Sequence, residues 1–177
     1  MSPQDVLLVL LLAFPALVLV AAVKDAASYT IPNWISLALV AAFVPAAAAA
    51  WQAEVAPAVI GVCVVVGLLA LLAGMAMFAF GWIGGGDAKL FAACALWLGW
   101  QGLAPFLFWT TISGGVMAAM LLVARRHGAQ FVGSNAPMWL SRLFSRTADV
   151  PYGVAIAFGA LMAFRYGALA TGVILPF

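Results

Sequence analysis

Two aspartates are the side chains in this chain best suited to chemistry. Asp87 follows three glycines in the run Ile83-Gly84-Gly85-Gly86-Asp87-Ala88-Lys89-Leu90, and apolar stretches flank the run on both sides. An ionisable group at membrane depth is costly and marks a functional site by default. The glycines admit backbone conformations closed to other residues and let a second chain come close. Asp25 stands at the end of the first apolar stretch, 62 residues earlier.

Two carboxylates held together do not both ionise readily. One keeps its proton to higher pH while the other stays charged. The charged one can take a proton from water, and the protonated one can donate to a carbonyl oxygen. Such a pair hydrolyses an amide with no metal and no cofactor, so neither is expected. A helix beginning at Asp87 favours its ionised form, mutual repulsion opposes it, and the pair titrates as a unit. Plainer readings stand beside these. Asp87 also reads as the N-cap of a helix, the glycines as a tight turn, and Asp25 beside Lys24 as a helix-end pair among lipid headgroups. Asp149 reads as the cap of the last helix, and His127, among arginines, as a solvated side chain.

The elements that must position these acids follow from composition. Of the 177 residues, 68% are hydrophobic and 7% charged, against about 25% charged in a soluble domain. The expected class is an all-α polytopic membrane protein. A net charge of +2 gives no reason to invoke nucleic acid. Cys63 and Cys94 lie in apolar runs with no Cys-x-x-Cys pair, which argues for inert thiols over a zinc site or a disulfide framework. The N-terminus carries Asp5 and no Lys or Arg before its apolar run. A signal peptide would have the reverse, so a retained first helix is expected.

A membrane helix takes about 20 mainly apolar residues. Six spans are expected within a single domain of residues 1–177: 6–23, 32–50, 57–82, 88–100, 103–124 and 151–171. Pro32 and Pro57 open the second and third, proline being favoured at a helix's first position. Six alternating spans put Lys24, Lys89, Arg125, Arg126, Arg142 and Arg146 on one side, and Asp5 and Glu54 on the other. The positive-inside rule assigns the basic side to the cytoplasm and both termini to the outside. Asp25 and Asp87 then reach the same cytoplasmic face. Arg165 lies within the sixth span; it either snorkels to the outer interface or pairs inside the bundle. The fourth span covers only about 20 Å of a hydrocarbon core about 30 Å thick. The glycines suggest that Asp87 is its recessed end, in a pocket reached by water. In the cytoplasmic loop 125–150, Pro137 to Arg146 has apolar groups at helical spacing. That pattern fits a helix in the headgroup plane, either a membrane anchor or a substrate-facing lid.

Three stretches resemble a known family. Gly84-Gly85-Gly86-Asp87 matches the Gly-x-Gly-Asp signature of intramembrane aspartyl proteases, and Ala88-Lys89-Leu90 extends it. Asp25 is followed by Ile31-Pro32-Asn33-Trp34, and Pro151-Tyr152-Gly153-Val154-Ala155-Ile156-Ala157 comes late in the chain. In this order they resemble the type IV prepilin peptidase family over residues 23–159. The resemblance implies a six-helix peptidase of the bacterial inner membrane. It removes the short basic leader of prepilins at the cytoplasmic face, cutting after a glycine just before a hydrophobic helix. By the same resemblance Asp25 and Asp87 are the catalytic pair. Gly84, Gly85, Gly86, Lys89, Pro32, Asn33, Pro151, Tyr152 and Gly153 form or support the site. The expected partners are prepilins or pseudopilins and membrane lipid. Long bacterial members add a cytoplasmic segment with paired cysteines that is linked to methylation, and nothing like it is present here. The chain is therefore similar to the short branch serving tight-adherence (Flp-type) pili, which implies a peptidase without methyltransferase activity. Archaeal preflagellin peptidases are similarly short. A proton- or ion-coupled transporter would use the same acids, but with inverted repeats and helices broken near the midplane. A structural subunit of a secretion machine would need neither acid.

Overall fold

Prolines and glycines set the helix boundaries. The structure, a computed structural model, describes residues 2–128 and 150–174. Helix α1 runs Pro3–Ser28 and starts from a capping box. Ser2 Oγ accepts from the Asp5 N–H (3.2 Å), and Asp5 Oδ2 accepts from the Ser2 N–H (2.8 Å). Asp5 is thereby explained as a cap. The helix is interrupted at Leu12, because Pro15 has no N–H to offer the carbonyl four residues back and its ring crowds that carbonyl. Tyr29, left-handed at φ 55°, ends α1 by donating its N–H to the Asp25 carbonyl at 2.8 Å, a left-handed cap of the usual kind.

Helix α2 is Asn33–Gln52 and α3 is Pro57–Ala79. Pro57 begins α3 as expected. Pro32 was expected as the first residue of its span; it stands just outside α2 in an extended conformation (φ −61°, ψ 137°). Helix α3 stops at Ala79, short of the expected 82, where Gly81 (φ 73°) turns the chain. Helix α4 is Gly85–Gly128, and it is broken at Gly99 (φ 61°, ψ −164°). That conformation is essentially reserved for glycine. Phe91 and Phe106 stack with ring centroids 4.9 Å apart. In a straight helix residues 15 apart would be about 22 Å apart, so the chain folds back at Gly99. Helix α5 (Tyr152–Ala163) leads through a 3-10 turn (Phe164–Tyr166) into α6 (Ala168–Ile174).

Among the described residues, five helical stretches are long and apolar enough to cross a membrane, not the expected six: Pro3–Ser28, Asn33–Gln52, Pro57–Ala79, Gly85–Arg126 and Tyr152–Thr171. The expected fourth and fifth spans are two arms of one element, and the turn expected at Gln101-Gly102 lies at Gly99. The first arm, residues 85–98, reaches only about 21 Å. Residues 129–149 lie outside the described residues, and with them the expected interfacial helix, Arg142, Arg146 and Asp149. His127, expected in the loop, falls within α4.

Packing ties the arms to their neighbours. Trp97 lies between Phe14 and Phe43 (centroids 5.5 and 5.7 Å) and donates its indole N–H to the Leu39 carbonyl at 2.9 Å, while Phe14 stacks on Phe164. This hub joins α1, α2, α4 and the 3-10 turn. Lipid is as apolar as the helices, so close packing at small residues must hold them together. Gly67 of α3 lies against Leu96, and Gly74 against Ala88.

The same contacts set the levels of the ends. Gly86 meets Ile31, and Lys89 Nζ donates to Asn33 Oδ1 at 2.8 Å. The first turn of α4 is thus level with the start of α2. Gly99 packs on Cys63, about 9 Å inside the start of α3. The turn at Gly99, the far end of the short arm, is packed inside the bundle. Exposed Trp34 and Trp51 bracket α2 about 25 Å apart, and Trp82 is exposed at the same end as Trp34. Such aromatic belts mark membrane interfaces. The Asp87 end is therefore interfacial. Arg165 is exposed at the opposite end and bonded to the Tyr166 hydroxyl.

A Cβ at Gly99 would stand 2.8 Å from Cys63 Sγ and 3.0 Å from Ala168 Cβ. Gly99→Ala is expected to destabilise the bundle by about 2–4 kcal/mol through strain and overpacking. Gly61→Ala, with nothing within 4 Å, is expected to be neutral. Thermal melts of both variants in detergent check this; equal melting temperatures would refute the turn's role.

Candidate active site

Asp25 lies in the last turn of α1, with 4% of its surface exposed. Its carboxylate meets the first turn of α5, where the N–H groups of Gly153 and Val154 face it. The first amides of a helix have no partner within the helix, and they form a natural seat for an anion. They offset part of the penalty for holding a carboxylate away from water. Oδ2 makes no hydrogen bond of ordinary geometry among the described residues. The close approach depends on glycine, since a Cβ at residue 153 would lie 2.7 Å from Asp25 Oδ2 and 2.6 Å from Ile31 Cδ1.

Asp87 is half-buried in the first turn of α4. The helix begins at Gly85, so Asp87 is its third residue and not its N-cap. The side chain turns back over the glycine loop, and Oδ2 is 3.1 Å from the position a Gly84 Cβ would take. An acid at this place favours the positive end of the helix.

Asp25 and Asp87 line one cleft of about 520 Å³. The rest of its wall comes from the turn after α1 (Tyr29, Thr30, Ile31), from the loop after α3 (Gly81 to Gly86), and from Val150 and Tyr152. Ile31 is the hinge of the arrangement: it touches Gly86 on one side and would meet a Cβ at Gly153 on the other. Among the expected supporting residues, Gly84, Gly85, Gly86 and Tyr152 line the cleft, while Gly153 seats Asp25. Pro151 is the buried N-cap of α5, and Pro32 caps α2. Lys89 and Asn33 bond to each other on the cleft's flank without lining it. Tyr29, Gly81 and Trp82 line the cleft but were not singled out from sequence. A left-handed tyrosine carries no sequence signal, and Trp82 reads as the end of an apolar span. Among the described residues there is no cluster of three or more His, Cys, Asp or Glu that could hold a metal ion.

Comparison with known families gives a match to the type IV leader peptidase family over residues 12–119, which include both aspartates and the glycine run. The chain belongs to that family. Neither a curated protein nor a solved structure matches it. As a type IV leader peptidase it is an aspartic peptidase and a membrane protein, and membership implies cleavage of prepilin leaders. That removes the transporter and structural-subunit readings. The Pro151-Tyr152-Gly153 stretch lies beyond the matched residues, so its place beside Asp25 is a finding of the structure.

Adding one methyl group tests this seat. Gly153→Ala is expected to displace the Asp25 carboxylate and lower peptidase activity on the order of 100-fold, as a misplacement of about 1 Å can do. Gly114→Ala, whose Cβ would make only ordinary contact at 3.5 Å, is expected to keep activity. Leader cleavage by the two purified variants, compared at equal folded fraction, is the measurement.

Proposed function

We propose that Asp25 and Asp87 are the catalytic pair of this leader peptidase. We further propose that it cleaves prepilins of the tight-adherence (Flp) type at the cytoplasmic face of the inner membrane. The observation that carries the reading is the shared cleft at the interfacial end of the bundle. Water, a basic leader and the start of a membrane helix can all meet there.

The two acids hold one proton between them. The ionised carboxylate takes a proton from a water molecule, whose oxygen attacks the carbonyl carbon of the scissile peptide. The protonated carboxyl gives its proton to the carbonyl oxygen. When the tetrahedral species collapses, the C–N bond breaks, the nitrogen receives a proton from the pair, and a new carboxylic acid and a new amine leave. The pair returns to its starting charge, so one water is consumed per bond. The glycine loop from Gly84 to Gly86 presents backbone without side chains beside this point. An extended substrate backbone can approach it closely.

Orientation follows from charge. Lys24, Lys89, Arg125 and Arg126 belong to the cleft end, while Glu54 belongs to the other. The positive-inside rule then puts the cleft in the cytoplasm and the N-terminus outside. A leader rich in Lys or Arg stays on the same side by the same rule.

Asp25→Asn and Asp87→Asn are each expected to lower leader cleavage by at least about 1,000-fold, with detergent melts near that of the parent. Near-normal cleavage by either folded variant would remove it from the pair. Cleavage by the parent is expected to survive a chelator. A single cysteine at position 54 is expected to react with an impermeant thiol reagent from outside the cell, and one at position 126 only after permeabilisation. The reverse pattern would overturn the orientation.

A further inference from the structure

Successive helices joined by a short turn are normally neighbours. Helices α2 and α3 are joined by residues 53–56, yet they scarcely touch, and both pack instead on the first arm of α4. Between them lies a groove of about 850 Å³ whose lining is almost wholly apolar. Val40 and Val44 form one wall, Val64 and Leu68 the other, and Ala93 and Leu96 the floor. The wall side chains are exposed, so the groove opens sideways toward lipid. Along α2 it runs from Asn33 to Ala47, about 21 Å. A rod of that length and 10 Å across occupies roughly 1,600 Å³, so the groove takes a helix sunk to about half its width.

We infer that this groove seats the apolar helix that directly follows the scissile bond of the substrate. The inference rests on the proposed peptidase reading and deepens it. The groove and the cleft share no lining residue but adjoin at the interfacial end, where Asn33 and Lys89 of the groove lie two residues from Ile31 and Asp87 of the cleft. Thr30 and Ile31 of the cleft lead straight into α2, and Gly81 to Gly86 come straight from α3, so the two walls of the groove end as two walls of the cleft. Lys89, in the turn after Asp87, and Asn33 join across the groove's mouth at 2.8 Å. This polar pair marks where an apolar helix must stop and its extended leader must begin. A bond cut immediately before a membrane helix therefore arrives at Asp87 only if the helix lies alongside the first arm of α4. On the other flank of the cleft that place is taken, because α1 packs on α5 through Asp25 and Gly153. Lipid chains and a second copy of this protein are the rival occupants.

The test uses the full chain in phosphatidylethanolamine–phosphatidylglycerol vesicles. The probe is a synthetic peptide with a Lys-rich leader ending in glycine and a following 20-residue apolar helix. A photo-crosslinking side chain is placed at Val40, Val64 or Leu68 in an Asp87→Asn background, which leaves the probe uncut. Control positions are the exposed Val9, Val116 and Leu122. The groove positions are expected to crosslink to the probe at least about tenfold more than the controls, the yield difference of a specific seat. Crosslinks to lipid alone, to a second copy, or at control level would overturn the inference. In the active protein, Val40→Trp and Val64→Trp are expected to raise KM about tenfold with little change in kcat, the signature of lost uniform binding. An unchanged KM in folded variants would overturn it as well. If neither variant folds, the crosslinks decide. Parent protein that leaves the leader intact overturns the proposed function together with this inference, whereas normal cleavage with a silent groove overturns the groove alone.

Discussion

A carboxylate removed from water has to be compensated by its surroundings, and the architecture around Asp25 answers to that need. The side chain is nearly enclosed, and the groups that face it are the Gly153 and Val154 amides at the start of α5. Their approach is possible because residue 153 carries no side chain and because Ile31 fills the remaining space. Ile31 then touches Gly86, one residue before Asp87. The seat of one aspartate thereby fixes the position of the other, through a single aliphatic side chain and two glycines. Tyr29 accepts a left-handed conformation to turn the chain at this point, at a penalty that a residue with a Cβ ordinarily avoids.

The reversal at Gly99 supplies the second half of the geometry. It folds the second arm of α4 back along the first, so that α5 packs in the bundle with its first turn beside the cleft. Irregular backbone at membrane depth is tolerated only when protein covers it. Cys63 and Ala168 provide that cover. The Trp97 hub above it locks α1, α2 and α4 at fixed heights. The interfacial level of Asp87 is thus set by packing at the opposite end of its own helix.

Hydrolysis near a bilayer sets two demands that conflict. Water and charge must reach the reacting atoms, while the apolar part of the substrate must stay in lipid. In the proposed reading the bundle meets both by keeping Asp25 and Asp87 at the level of Trp34 and Trp82 and leaving α2 and α3 apart below them. Polar and apolar volumes meet at Lys89 and Asn33. A cleft buried at the midplane would exclude the leader, and one outside the headgroups would expose the helix.

By itself the sequence determined the class of the molecule: 68% hydrophobic residues with 7% charged leave no soluble option. It also determined the two acids worth following, because an ionisable residue amid apolar runs is costly wherever it stands, and the end of the bundle they share, because helix count and charge alternate along the chain. Local chemistry was legible where it acts within one turn, as with Pro57 at the head of α3. It misled where neighbours decide. The sequence suggests six spans because a polar pair, Gln101-Gly102, looks like a turn; the reversal belongs to Gly99, whose backbone conformation and packing on Cys63 are tertiary facts. The shortness of the first arm is legible in the sequence, but that its Gly99 end is packed inside the bundle is known only from the contacts. The seat of Asp25 on α5, the hinge at Ile31 and the open space between α2 and α3 were settled only by folding. They depend on contacts between segments far apart in the chain, which no periodicity or motif within any one segment records.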